Sequence, residues 1–188
     1  MVEENEVVRI LRKRIFGTAS LELPRDYMIE LREHYSKIYS EEIFPSIARD
    51  IDSLLKYYPF HPTYIDTILR HIAERNPQAY QKTRFALKLT RKVVRKLWES
   101  HIDPDFIHTW AVDLESPDIR SVIDPNNQYG VYISRMMEGC NNLSEPELAK
   151  HAVKSIFLRT FLYDGLRPSP GILRGWGVNH HTGRFSGI

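Results

Sequence analysis

The sequence predicts an all-α fold, a single-domain multi-helix bundle with an irregular segment over residues 101–127. Three observations carry this expectation. Apolar residues recur at helical spacing almost everywhere before residue 165. Pro24, Pro45 and Pro62 each stand where a helix would open, not inside one. With 42% hydrophobic and 27% charged residues in 188, the chain can fill one core and is not of disordered composition. The domain is expected over 1–164, and 165–188, rich in Gly, Pro and Arg, reads as a flexible tail.

In order along the chain, Val7, Leu11 and Ile15 repeat at i, i+4, i+8 and define a short first helix that Gly17 ends. Pro24 opens a second, with Met28, Leu31, Tyr35 and Ile38 inward. Pro45 opens a third, in which Ile47, Ile51, Leu54 and Leu55 keep the spacing. Tyr58-Pro59-Phe60-His61-Pro62 interrupts it: each proline pushes its predecessor out of the α region, giving a bent connector with aromatic anchors. Pro62 begins a fourth helix carrying Ile65, Ile68, Leu69 and Ile72. A longer fifth helix spans Gln78 to Ser100. Asp-Pro and Ser-Pro turns then break the chain, with a helical piece over Asp118–Ile123 and a brief strand at Ala111-Val112-Asp113-Leu114. Gln128–Met137 reads as helix. Ser144-Glu145-Pro146-Glu147 forms a capping box ahead of a last helix whose inner face is Leu148, Ala152, Ile156 and Phe157.

Several classes are set aside. One cysteine, Cys140, supports neither an internal disulfide nor a thiolate zinc site and fits a reducing, cytoplasmic setting. The acidic start lacks the apolar run of a signal peptide, and no window is apolar enough to span a membrane. Few Gln beside many Ile, Tyr and Arg fit a heat-adapted source. There is no Gly-x-x-x-x-Gly-Lys-Ser/Thr loop and no apolar strand ending in paired acids, so a phosphoryl-transfer site is missing. His180-His181 has no carboxylate or thiolate beside it. His61 reads as a structural hydrogen-bonding residue, and Cys140 with His151 has nothing to support it as a catalytic pair. Asp103, Asp105, Asp113 and Glu115 suit turns and caps, and Trp98, Trp110 and Trp176 suit core or interface anchoring.

The fifth helix is the exception. From Arg75 to Trp98 there are eight basic residues and no acid, although the chain totals only +2, so the remainder carries −6. On a helical wheel Arg84, Lys88, Arg91 and Arg95 fall within about 60° of one another, opposite Ala86, Leu89, Val93 and Leu97. Guanidinium forks on such a face suit phosphate oxygens. The alternative is a solvated face neutralised by acids of neighbouring helices.

The connector Tyr58–Pro62 followed by Gln81-Lys82-Thr83-Arg84-Phe85-Ala86-Leu87-Lys88-Leu89 resembles a family of large prokaryotic AAA+-class ATPases catalogued mainly as a domain of unknown function. Arg9–Phe16 and Ser155–Leu158 are similar to two further segments of that family, so the resemblance runs over about residues 6–165. It implies a helical lid with additional helices, detached from its P-loop core, and it implies that Arg84 matches the lid arginine that reaches a bound γ-phosphate.

The leading expectation is therefore a non-catalytic helical module, with no cofactor bound independently. It senses ATP through Arg84 only when docked on a P-loop ATPase core supplied by another chain. A second is nucleic-acid binding, DNA included, by Lys88, Arg91, Lys92 and Arg95, which would weaken steeply with salt. A third is structural association through the aromatic connector or the last helix.

Overall fold

The computed structural model describes residues 4–17, 23–39, 51–69 and 82–164. These hold eight α-helices: α1 (Glu4–Ile15), α2 (Arg25–Tyr39), α3 (Ile51–Lys56), α4 (Pro62–Asp66), α5 (Lys82–Glu99), α6 (Pro117–Ile123), α7 (Gly130–Cys140) and α8 (Pro146–Asp164). A single 3₁₀ turn, Thr109–Ala111, lies between α5 and α6. The all-α expectation holds, with no strand among the described residues. The start of the third helix at Pro45, Ile47, Ile72, residues 78–81, Trp176 and the tail from 165 with His180 and His181 lie outside the described residues.

α1 forms because Val7, Val8 and Leu11 bury completely on one stripe. It stops at Gly17, whose φ of +80° is the left-handed conformation that a glycine adopts without steric cost. Its last turn carries Arg12, Lys13 and Arg14, favourably placed at the negative end of the helix. α1 packs on α5, whose buried Ala86, Leu89 and Val93 supply the facing stripe. Full burial of a leucine such as Leu89 contributes about 1.5–3 kcal/mol. α4, α6, α7 and α8 close the same cluster, with Tyr64, Ile119, Met137 and Phe157 among its buried residues. A second, smaller cluster joins Leu31 and Tyr35 of α2 to Leu54 of α3 and Phe106.

The connector is the hinge between the two clusters. Tyr58-Pro59 is cis, and Phe60 pairs with Ile107 in an isolated parallel bridge: His61 N–H donates to Ile107 O at 3.0 Å and Ile107 N–H to Pro59 O at 2.7 Å. Phe60 is fully buried and stacks on Tyr64 at 5.8 Å, while Tyr58 meets Phe106 edge-on at 5.5 Å. From α1, the Arg12 guanidinium donates Nε to Tyr58 O at 2.6 Å and Nη2 to Lys56 O. Burial lowers its pKa without a carboxylate to oppose that.

Three local expectations are corrected. The strand at Ala111–Leu114 is instead the end of the 3₁₀ turn and a following loop: Ala111 and Val112 donate back to His108 O and Thr109 O, so no extended pairing forms there. The capping box is one residue out of register. Ala149 N–H donates to Glu145 O and Pro146 is the first helical residue, which makes Glu145 the cap and leaves Ser144 outside. The inner face of α8 is also rotated. Phe157 is buried as expected, but Leu148 is 66% and Ile156 44% exposed, and Ala152 is exposed. Lys150 and Lys154 turn inward instead, with side chains only 16% and 11% exposed. Their stems cover apolar surface and their ammonium groups reach Glu147 at 3.1 Å and Asp113 at 3.6 Å.

Candidate anion-binding cleft

α5 opens with Lys82, Thr83 and Arg84 and has no acid in its first turn, so the positive end of its dipole adds to side-chain charge. The last turns of α1 lie across this end. Between them is a cleft of about 380 Å³ lined by Ile10, Arg14, Thr83, Arg84, Leu87 and Arg91. Ile10 and Leu87 give it an apolar, half-buried floor, Thr83 a hydroxyl, and the three exposed arginines a cationic rim. Among the described residues, Arg14, Arg84 and Arg91 make no ion pair or hydrogen bond, and neither does Lys88 one turn from Arg84. Three guanidinium groups gathered without a carboxylate repel one another, and an anion between them removes that repulsion.

The rest of the basic stripe differs. Lys92, half-buried, reaches Asp118 of α6 at 3.6 Å; Arg95 Nε donates to Glu99 at 2.7 Å; Lys96 stands 3.9 Å from Asp113, which Lys154 of α8 shares. Of the five cations singled out in the sequence, Arg84, Lys88 and Arg91 are bare, whereas Lys92 and Arg95 are the neutralised face of the alternative reading. Arg14 and Thr83 were not singled out for the cleft. Arg14 sits one helical turn from Ile10, and only the packing of α1 on α5 turns that spacing into a shared site.

The exposure of Trp98 went unread, whereas the structural, hydrogen-bonding reading of His61 holds. Trp98 is 83% exposed, not a core anchor, whereas Trp110 stacks on His151 at 4.2 Å. His61 stacks on His108 at 4.3 Å, and its Nδ1 accepts from the Thr63 backbone N–H at 3.2 Å and pairs with the Thr63 hydroxyl at 2.7 Å. Burial first, then His108 and Arg159, push the His61 pKa down to about 3, while burial lowers that of His108. These are neutral structural rings. Burial raises the pKa of the Cys140 thiol, leaving it a poor nucleophile, and no three His, Cys, Asp or Glu among the described residues come together as metal ligands. No helix of the described residues is long and apolar enough to cross a membrane.

The family model described as the DUF499 second domain matches residues 2–173. This chain belongs to the DUF499 second-domain family. The match takes in every described helix and the first residues beyond them. No curated protein and no solved structure matches the chain.

Proposed function

We propose that the domain is a non-catalytic accessory module that reports nucleotide occupancy of a P-loop ATPase core carried elsewhere, through Arg84 and the cleft around it. The observation that carries this is the cleft: three unneutralised guanidinium groups and a hydroxyl about an apolar floor, in a chain that has no phosphate-binding loop. The resemblance to AAA+ lids supplies the lid assignment and the γ-phosphate as the group sensed; the family match speaks to neither. Docked on the core, Arg84 meets the γ-phosphate while Arg14 and Arg91 hold the flanking charge, so helices α1 and α5 stay seated only while the phosphate is present. ATP is then bound jointly, by core and module together, in a cytoplasmic setting.

The test is ATP hydrolysis by the P-loop core joined to this domain. Arg84→Ala lowers turnover by about 100-fold or more, the scale of losing one donor to transition-state charge. Turnover unaffected by Arg84→Ala removes the reading.

A further inference from the structure

The exposed tryptophan and three of the four bare cations lie on one side of α5. At 100° and 1.5 Å per residue, Trp98 stands about 40° from Arg84 around α5 and about 21 Å along it, with Lys88 and Arg91 between. Trp98 is 83% exposed with no ring contact among the described residues, so its indole face is open to a stacking partner. The cations leading to it, Arg14, Arg84, Lys88 and Arg91, have no carboxylate of the described residues to neutralise them. Glu99 follows Trp98 in α5, and Asp118 of α6 pairs with the same helix. Each is already engaged, with Arg95 at 2.7 Å and Lys92 at 3.6 Å, so that end is close to neutral and not repulsive.

We propose that this face binds single-stranded nucleic acid, with phosphates on Arg14, Arg84, Lys88 and Arg91 and an unpaired base stacked on Trp98. A single strand fits better than a duplex because stacking needs a free base face. It fits better than an acidic peptide because cations one helical turn apart match repeated phosphates, while the indole asks for a flat aromatic partner. The reading goes beyond nucleotide sensing: Arg84 and Arg91 serve both, but Trp98 serves only this one.

The test is fluorescence anisotropy of the full chain with a labelled oligothymidylate of about twelve nucleotides. Four bare cations predict a log–log salt slope near −3, so affinity falls about 50-fold between 50 and 200 mM salt. Trp98→Ala weakens binding by about 5- to 100-fold with the slope unchanged, and Trp98→Phe restores most of it. Lys88→Gln makes the slope shallower by about 0.7. Because Trp98 is exposed, the helical circular dichroism of these variants stays at the wild-type level. Absence of binding at 50 mM salt, wild-type affinity in Trp98→Ala, or polyglutamate competing as well as the oligonucleotide would each overturn the proposal. Failure here leaves Arg84-dependent hydrolysis by the joined core standing, since that assay does not involve Trp98.

Discussion

The two halves of α5 carry the same kind of charge and meet different surroundings. Arg84 and Arg91 look out beside α1, whose nearby residues are Ile10 and another arginine, and Lys88 is exposed one turn from Arg84. Lys92, Arg95 and Lys96 look toward Asp118, Glu99 and Asp113, brought in by α6, by the helix end and by the loop after the 3₁₀ turn. One half is left with unspent charge and the other is settled. The difference shows that a basic stripe in a sequence is only a supply of cations. The packing of neighbouring helices decides which of them remain available to a ligand.

The largest expected effect separates two arginines of one helical turn. Arg12→Ala removes two charge-assisted hydrogen bonds to the carbonyls of Lys56 and Tyr58, and costs about 2–4 kcal/mol in denaturant unfolding. Arg14→Ala, at a side chain with no hydrogen bond or ion pair among the described residues, changes stability by less than about 0.5 kcal/mol. Equal costs for the two would break the distinction between structural and bare arginines.

The histidine pair gives the next effect and keeps it apart from the arginines. His61 has a folded pKa of about 3 against an ordinary 6.5, so the unfolded chain binds the extra proton between those values. Stability is full above pH 6.5 and falls as the pH drops toward 3, by about 3 kcal/mol between pH 6.5 and 4. The lowered pKa of His108 acts in the same sense. Urea titrations of wild type and His61→Gln across that range check it: the variant loses most of the slope. Because arginines do not titrate there, acid sensitivity that instead tracked the cleft variants would contradict this separation.

A smaller effect tests the settled half. Asp113→Asn removes the carboxylate shared by Lys96 and Lys154, and with Lys154 largely buried the cost is about 1–2 kcal/mol. The same substitution unmasks Lys96, so anion affinity rises modestly. Affinity that falls would mean Asp113 holds the helices in the binding geometry.

Much of this fold was legible. Val7, Leu11, Leu31, Tyr35, Ile65 and Leu89 are periodic and buried, and Pro62 opens α4 as its fixed φ requires. The failures have physical causes. In α8 two apolar stripes compete, and the sequence favoured Leu148, Ala152 and Ile156 because lysines are expected outside. Lys150 and Lys154 face inward because their stems pack while acids receive their ends. The end of α5, expected at Ser100, falls at Glu99 although no glycine marks it. His101 takes the left-handed position with φ of 55° and closes a Schellman motif, Ile102 N–H to Leu97 O at 3.0 Å and His101 N–H to Trp98 O at 3.1 Å. In the site, Arg84 and its stripe were readable from spacing alone. Arg14, the neutralising acids and the exposure of Trp98 depend on which helix packs where, which spacing does not encode.

The measurement that bears most directly on the difference between the two halves is thermal unfolding of wild type, Arg84→Ala, Arg91→Ala and Arg95→Ala as inorganic tripolyphosphate is added. A ligand held by the folded cleft raises the midpoint with concentration. The bare-half account predicts a rise in wild type and Arg95→Ala, and little or none in Arg84→Ala or Arg91→Ala. A rise that survives loss of Arg84 and Arg91, or one that Arg95→Ala abolishes equally, would contradict it.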